Sequence, residues 1–289
     1  MVLNKLFKLN TGGYIPALGL GTWQSKPDEV SIADTAFMYL NEEGVGQGIK
    51  NSGIPREEIF VTTKLACTFH SRAEECLDQS LNKMKLDYVD LYLMHWPLSL
   101  NPNGNHIFFP KKQDGTYDIE KGWDFLKTWK SLEKLLSTGK VKAIGVSNFS
   151  TVNLEKLLET AEIIPAVNQC ELHPYLSQEK LLKFCIEKGI HLTSYSPFGS
   201  TNTPLLKEPM VTEIANKNGM TEAQVILAWC IQRGTSVIPK SVTPSRIISN
   251  LQVSELPEDD FLRLNELGKT HKVRYISLNK DITIFHDDE

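Results

Sequence analysis

At 289 residues, with 41% hydrophobic residues, the chain is long enough to bury a large core, and single α/β domains reach this length. The net charge of −4 gives no general attraction to nucleic acid or to an anionic membrane, and no apolar run approaches a membrane span, so we expect neither partner. Five scattered cysteines without a CxxC pair, and a first segment without the apolar run of a signal peptide, favour a reduced, cytoplasmic protein with no metal site.

The chain begins with short extended elements. Residues 5–16 predict a hairpin with its turn at Asn10–Gly13, and the apolar, glycine-rich stretch Ala17–Trp23 predicts the first strand of the main sheet. A second strand ends at Asp34. Only ten residues lie between Trp23 and Asp34, although a parallel crossover needs roughly a dozen residues or more and usually contains a helix. We therefore expect this crossover either to be truncated or to be incompletely represented in the sequence.

From residue 41 onward, helices and strands alternate regularly. Apolar runs predict six further strands, at residues 59–64, 89–94, 141–147, 164–171, 190–195 and 235–239. Helical periodicity predicts nine helices, at residues 41–50, 72–84, 123–137, 151–160, 178–188, 209–218, 221–232, 243–252 and 257–267. Eight strands with intervening helices predict one α/β domain over residues 1–289, a (β/α)₈ TIM barrel with an N-terminal hairpin. A long loop at residues 99–121 and an irregular tail from residue 268 are expected over its active-site face.

The strand at residues 89–94 leads directly into His95, Trp96 and Pro97. The carboxyl ends of barrel strands carry the chemistry, although one histidine at such an end is more often structural. Here polar residues recur at or just beyond the same end of nearly every strand: Asp34, Tyr39, Lys64, His95, Ser147, Asn148, Gln169, Tyr195 and Lys240. Packing alone does not explain such a set, although Asp34 and Lys64 by themselves could be a buried ion pair.

Several short motifs along the chain match the pattern of one protein family. They are Gly19-Leu20-Gly21-Thr22-Trp23, Asp34-Thr35-Ala36 with Tyr39, Lys64-Leu65, Leu93-Met94-His95-Trp96-Pro97, Gly145-Val146-Ser147-Asn148-Phe149, Asn168-Gln169 with His173-Pro174, Tyr195-Ser196-Pro197, and Ile238-Pro239-Lys240-Ser241-Val242 with Arg246 and Asn250. In these motifs, and over nearly its whole length, the sequence resembles the aldo-keto reductase superfamily. Two further stretches are similar to its yeast and fungal NADP-dependent carbonyl reductases, glycerol dehydrogenases included: Asn41-Glu42-Glu43 and Pro204-Leu205-Leu206-Lys207-Glu208.

The resemblance implies a catalytic set of four residues: Asp34, Tyr39, Lys64 and His95. Tyr39 would be the general acid that protonates the carbonyl oxygen, although a free phenol, with a pKa near ~10, is a weak acid for this step. The Lys64 ammonium would lower that pKa, and Asp34 would hold Lys64 charged and in place. His95 would orient the carbonyl by a hydrogen bond, and the hydride would come from the nicotinamide of NADPH.

The resemblance also implies an NADPH site. Ser147, Asn148 and Gln169 would hold the nicotinamide carboxamide, and Tyr195 would stack on the ring. The adenosine 2′-phosphate would be held by Lys240, Ser241, Arg246 and Asn250, which favours NADPH over NADH. The complete cofactor set is Gly21, Thr22, Trp23, Ser147, Asn148, Gln169, Tyr195, Ser196, Phe198, Ser200, Lys240, Ser241, Val242, Arg246 and Asn250.

The substrate pocket is expected to contain Trp23, Ala66, Trp96 and Phe108. Ala66 departs from the family pattern, which usually has a large aromatic residue after Lys-Leu, so a wider pocket is expected. The implied reaction is the reduction of aldehydes and ketones, ketoesters included, to alcohols, reversible toward polyol oxidation.

The alternative is a catalytically weak regulatory barrel protein that binds NADP(H), a reading favoured only by the short crossover before Asp34. Metal-dependent hydrolysis would need a His-x-His pair or a carboxylate cluster at the strand ends, which the sequence lacks. We expect a monomer, or a weak dimer, whose partner is a small carbonyl substrate.

Overall fold

Two sheets are present in the computed structural model of the protein, which describes residues 5–23, 34–278 and 282–286. The predicted hairpin is confirmed as the antiparallel pair β1 (Leu6–Lys8) and β2 (Tyr14–Pro16). The central sheet contains six parallel strands, which pair in chain order: β3 (Thr62–Leu65), β4 (Val89–Met94), β5 (Val141–Ser147), β6 (Val167–Glu171), β7 (His191–Tyr195) and β8 (Ser236–Ile238). Their positions confirm the last six predicted strands to within three residues.

All nine predicted helices are confirmed in the described residues, with ends that differ by no more than three residues. They are α1 (Glu42–Ser52), α2 (Ala73–Met84), α3 (Phe125–Leu135), α4 (Thr151–Leu158), α5 (Glu179–Glu187), α6 (Pro209–Asn218), α7 (Glu222–Gln232), α8 (Pro244–Asn250) and α9 (Glu258–Thr270). α2 buries Leu77, Leu81 and Met84, spaced three and four residues apart, and thereby packs one face inward. Helices between successive strands allow neighbouring strands to run parallel.

The two edges of the central sheet are linked by single parallel bridges. These are Leu18–Val237, Gly21–Lys240, Gly21–Asp34 and Asp34–Thr62. In the described part of the chain, these bridges are what is seen of the first two predicted strands, because a strand requires successive paired residues. Among the residues that the structure describes, the central sheet therefore contains six strands rather than the eight expected of it. The expected short crossover falls at residues 24–33, outside the described residues.

A cavity of about 350 Å³ lies on the amino-terminal side of Asp34. Its walls include Leu18, Leu20, Leu91 and Thr193, and the Thr193 hydroxyl has no hydrogen-bond partner among the described residues. Layers of side chains normally fill the interior of a closed barrel. Among the residues that the structure describes, this part of the sheet interior is open space.

The hairpin packs against the interior of the sheet, where Leu9 and Ile15 join Leu91 and Ala166 in one apolar cluster. A separate cluster brings the long loop at residues 99–121 against the C-terminal tail, with Tyr117 and Ile284 both packed around Trp96. The loop and the tail thus meet beside the residue that follows His95. No helix in the described ranges combines the length and apolarity needed to cross a bilayer.

Candidate active site

Polar side chains from the carboxyl ends of the strands line one cavity of about 490 Å³. Parallel strands place these ends at one edge of the sheet, so residues that are distant in sequence meet there. The predicted site residues in its lining are Gly21, Thr22, Trp23, Asp34, Tyr39, His95, Trp96, Ser147, Asn148, Gln169, Tyr195, Ser196, Phe198, Ser200 and Lys240. The cavity is also lined by Phe109, from the long loop that was expected over the site, and by eight residues outside the expected set: Met38, Pro197, Thr201, Thr203, Ile238, Ile276, Ser277 and Leu278.

Asp34 and Lys64 form a buried ion pair beside this cavity. Lys64 Nζ lies 2.6 Å from Asp34 Oδ1 and also donates to the carbonyl oxygen of Thr35 at 2.9 Å. Gln169 Nε2 donates to the second Asp34 oxygen at 2.7 Å. Burial acts to lower the pKa of Lys64, but attraction by Asp34 and Tyr39 outweighs it and raises the pKa above its ordinary value. Lys64 is therefore a fixed positive charge at neutral pH.

The phenol of Tyr39 lies next to this ion pair. Tyr39 ends a single turn of 3₁₀ helix, Phe37–Tyr39, and its ring centroid is 5.1 Å from Lys64 Nζ. Burial raises the pKa of Tyr39; Lys64 opposes the rise and Asp34 adds to it, so the pKa lies above the ordinary 10.0. The lowering that we expected from Lys64 is thus outweighed, because burial penalises the phenolate more than one ammonium favours it. At neutral pH Tyr39 keeps a proton that it can donate.

His95 is the second hydrogen-bonding group at this point of the cavity. It is 7% exposed, and its ring lies edge-on to that of Tyr39 with centroids 5.6 Å apart. Burial and the charge of Lys64 lower the pKa of His95 well below its ordinary value, so the imidazole is neutral. Its Nδ1 atom has no hydrogen-bond partner in the described ranges. A neutral imidazole carries one N–H, which can donate to an oxygen atom in the cavity.

Asn148 joins three strand ends. Its φ of +64° lies in the left-handed region, which asparagine tolerates better than most residues. Its Nδ2 donates to the His95 carbonyl oxygen at 2.9 Å and to Ser147 Oγ at 3.1 Å, and its Oδ1 accepts from the Tyr195 hydroxyl at 2.7 Å. Ser147 Oγ donates to the Gln169 carbonyl oxygen at 2.8 Å. The residues expected around the nicotinamide therefore form one connected network attached to the backbone of His95.

Part of the expected phosphate site extends beyond the cavity. Lys240 lines the cavity and is exposed, whereas four residues expected at the cofactor do not line it: Ser241, Val242, Arg246 and Asn250. Arg246 is exposed on α8, and Asn250 is buried at the end of that helix. A dinucleotide that enters the cavity with its nicotinamide would leave its adenosine end near this cationic surface.

Two residues expected at the substrate pocket lie elsewhere. Ala66 is 0% exposed and packs in the main hydrophobic core, because the backbone turns at this point into the 3₁₀ segment Cys67–Arg72. Phe108 packs edge-on against Phe37, with ring centroids 6.1 Å apart, and its neighbour Phe109 lines the cavity instead. Of the four residues expected at the substrate pocket, Trp23 and Trp96 line the cavity, whereas Ala66 and Phe108 are buried in the core.

Comparison with known proteins indicates the same family that the sequence motifs resemble. The sequence pattern of the Aldo/keto reductase family matches residues 29–269. Aldehyde reductase YPR1 of Saccharomyces cerevisiae is 50% identical over 288 residues, covering 93% of this chain and 92% of that protein. Glycerol 2-dehydrogenase (NADP(+)) of the same yeast is 49% identical over 284 residues, covering 92% and 91%. D-galacturonate reductase of Hypocrea jecorina is 48% identical over 275 residues, covering 90% and 89%.

A solved structure agrees at the level of the fold. The aldose reductase from Schistosoma japonicum matches with a TM-score of 0.87 and 35% sequence identity over 95% of each chain.

The alignment with the yeast aldehyde reductase runs over 288 positions yet takes in only 93% of this 289-residue chain. That relative thus has residues, within the aligned stretch, that have no counterpart here, in line with the short spacing between Trp23 and Asp34.

Proposed function

The chain belongs to the aldo/keto reductase family, and from this premise we propose the roles of the residues around the cavity. The protein is an NADP-dependent oxidoreductase that reduces carbonyl groups. We propose that its substrates are aldehydes and ketones, ketoesters included, and that it oxidises polyols in the reverse direction. Nothing in the comparisons favours a catalytically weak regulatory protein.

The observation that carries the proposed mechanism is the position of Tyr39 between a charged Lys64 and a neutral His95. Tyr39 donates its proton to the carbonyl oxygen as that oxygen gains negative charge. The His95 N–H donates a hydrogen bond to the same oxygen and fixes the orientation of the carbonyl. Lys64, held by Asp34 at 2.6 Å, stabilises the phenolate that remains on Tyr39.

The residues at the cavity fit the cofactor of this reaction. The side chains of Ser147 and Asn148 are hydrogen-bonded to each other, to the Gln169 backbone carbonyl and to that of His95, and Tyr195 offers an aromatic ring on the same wall. Lys240 and Arg246 give the exposed end a positive charge that suits a 2′-phosphate. NADPH, when bound, supplies the hydride; the chain supplies orientation, the proton and the electrostatics.

The wall that remains for the substrate is largely apolar. Trp23 and Trp96 line it, together with Phe109 from the long loop and Ile276 and Leu278 from the tail. Such a wall favours carbonyl compounds with an apolar or aromatic substituent.

We also propose that the sheet closes as a (β/α)₈ barrel through the bridges at residues 18–21 and 34. The parallel pairing on both sides of Gly21 supports this closure. Residues 1–289 would then form one domain, which we propose acts as a cytoplasmic monomer.

A direct assay tests this function. Purified protein should consume NADPH when an aromatic aldehyde is added, with stoichiometric formation of the alcohol. Without the aldehyde, or with NADH at the same concentration, the rate should be far lower. Tight NADPH binding without turnover on any of a panel of aldehydes, ketones and ketoesters would contradict the proposal and favour a regulatory role.

We expect Lys240→Met to weaken NADPH binding and to leave NADH binding nearly unchanged. A charged hydrogen bond to the 2′-phosphate is lost only for NADPH, which corresponds to roughly 1.5–3 kcal/mol, or about 10- to 150-fold in Kd. Quenching of protein fluorescence measures both affinities. Lys183→Met is the control, because the Lys183 side chain is 81% exposed on α5 and is not part of the cavity lining. Equal loss of affinity for both cofactors would remove Lys240 from the phosphate site.

We expect Ala66→Trp to destabilise the fold. Because Ala66 is fully buried in the core, an indole there must displace its neighbours, which typically costs about 1–3 kcal/mol. Urea titration should show this fall in the free energy of unfolding, while activities on small aldehydes and bulky aryl ketones should change alike. A selective loss of aryl-ketone activity at unchanged stability would instead place the new indole in the substrate pocket.

A further inference from the structure

Glu171, the last residue of β6, is a buried carboxylate that contacts the C-terminal tail. It is 0% exposed. Its Oε1 accepts from the backbone N–H of Tyr275 at 2.8 Å, and its Oε2 accepts from that of Ile276 at 2.7 Å. His173 Nε2 also lies 2.8 Å from Oε1. Both Glu171 oxygens thus accept a hydrogen bond from the tail, and Oε1 also contacts His173.

The two amides that Glu171 holds immediately precede the part of the tail that lines the cavity. Ile276, Ser277 and Leu278 belong to the cavity lining, and Gln169, two residues before Glu171 on the same strand, lines it as well. Since residues two apart on a strand point to the same face, Glu171 extends the active-site face of β6 outward to the tail.

Other contacts hold the tail at more distant points. The N–H of Val273 donates to the Tyr175 carbonyl oxygen at 3.0 Å, and Asn153 Nδ2 donates to the Ile284 carbonyl oxygen at 2.9 Å. Neither contact fixes the backbone at the point where it passes the cavity. Charged hydrogen bonds to backbone amides are about twice as strong as neutral ones, so the Glu171 carboxylate adds a strong backbone contact to the packing of Tyr275 against His173 and of Ile276 in the cluster with Trp96.

We propose that Glu171 is a positioning residue that determines substrate selectivity: it fixes the tail backbone so that Ile276 and Leu278 form one wall of the substrate site. This inference rests on the proposed function, since it assigns the selectivity of that same site. A bulky carbonyl substrate would reach this wall, whereas a small aldehyde would contact mainly the groups around Tyr39 and His95.

The variant Glu171→Gln tests the inference. An amide presents one accepting oxygen where the carboxylate presents two, so one tail N–H loses its partner. Hydrogen exchange at the amides of residues 275 and 276 should accelerate by about tenfold or more. The ratio of kcat/KM for an aryl ketone to that for a small aldehyde should change by about tenfold, mainly through KM, as expected for altered contacts with an apolar group. The Kd for NADPH should stay unchanged.

Glu133→Gln is the control for loss of a carboxylate charge beside two backbone amides; because Oε1 alone accepts from both, the introduced amide can keep both hydrogen bonds. Glu133 Oε1 also accepts from two consecutive backbone amides, those of Glu162 at 2.7 Å and Ile163 at 2.9 Å, but it lies on α3 outside the cavity lining. This variant should leave selectivity unchanged. An equal shift in selectivity from Glu133→Gln would show a general effect of stability and overturn the proposal.

A second set of variants separates a positioning role of Glu171 from a general loss of stability. In the full-length variant Ile276→Ala/Leu278→Ala the wall is already removed, so adding Glu171→Gln should change selectivity no further. If Glu171→Gln does not fold, Glu171→Asp, which keeps the charge but is one methylene shorter, replaces it. Faster exchange at residues 275 and 276 without altered selectivity would overturn the proposal, as would unchanged exchange. Absence of carbonyl reduction in the unmodified protein would instead contradict the proposed function, while the exchange experiment would still test the tail contact.

Discussion

Replacing Tyr39 with phenylalanine is expected to lower turnover by about 10²–10⁴-fold, the usual contribution of a general acid, while NADPH affinity stays within a few-fold. The substitution removes only the hydroxyl group, and the ring can keep its edge-on contact with His95 at 5.6 Å between centroids. The comparison requires kcat with a small aldehyde at saturating NADPH and, separately, the Kd for NADPH. Near-normal turnover would exclude Tyr39 as the donor and make His95 the next candidate.

The pH dependence of turnover gives an independent test of Tyr39 as the proton donor. Because the pKa of Tyr39 is raised above 10.0, the protonated form that reduction needs is fully present at neutral pH and is lost only as the pH rises through that raised value. Reductive turnover should therefore be level through the neutral range and fall in strong alkali. Alcohol oxidation, which needs the phenolate, should increase over the same alkaline range. Tyr39→Phe should lose both of these alkaline changes, whereas their persistence would assign them to another group.

Local sequence signals were sufficient for most of the fold. The strands β3 to β8 lie in short stretches that contain apolar residues and are bounded by glycine, proline or polar residues. The helices between them have regular apolar spacing, so each element could be identified from its own stretch of sequence. The strand ends follow from the same runs. That is why the sequence could place Lys64, His95 and Tyr195 at one edge of a sheet before any contact was known.

Contacts between distant residues were not available in this way. The hydrogen bond from Gln169 to Asp34 joins residues 135 positions apart, and the Glu171 contacts with the tail span more than 100 positions. Such pairs depend on strand register and on the path of an irregular tail, which periodicity does not specify. The left-handed backbone of Asn148 likewise left no signal beyond the residue type.

Two expectations depended on the spatial surroundings of a side chain, which the sequence does not specify. The direction of the Tyr39 pKa shift depends on whether the effect of burial exceeds that of the Lys64 charge. Only the coordinates give the burial of the phenol and its distance from Lys64. The motif pattern placed Ala66 by analogy at the pocket, whereas its side chain is turned into the core. The first two strands stay a prediction, because the described residues show them as single parallel bridges at Leu18, Gly21 and Asp34, and an apolar run alone does not specify its paired neighbours.

Lys64→Met is expected to lower both stability and turnover, and a compensating substitution can separate the two effects. Lys64 is 1% exposed and its partner Asp34 is 7% exposed, so removal of the ammonium leaves a buried carboxylate without its cation. Breaking a buried pair in this way typically costs about 3–5 kcal/mol, whereas replacing both partners by neutral groups is often close to neutral. The single variant should therefore unfold at a much lower urea concentration.

The double variant Asp34→Asn/Lys64→Met removes the unpaired charge. In the unmodified protein Gln169 Nε2 donates to Asp34 at 2.7 Å, and the amide introduced at position 34 still offers an oxygen to this donor. Its stability should recover most of the loss, but turnover should stay about 10²–10⁴-fold below that of the unmodified protein, because no ammonium remains to stabilise the phenolate of Tyr39. Adding Tyr39→Phe to this double variant should cost little more, since the three side chains act on one proton transfer and their effects are not additive. If turnover returned together with stability in Asp34→Asn/Lys64→Met, Lys64 would be a structural partner of Asp34 only, and the donor would have to reach the carbonyl oxygen without its help.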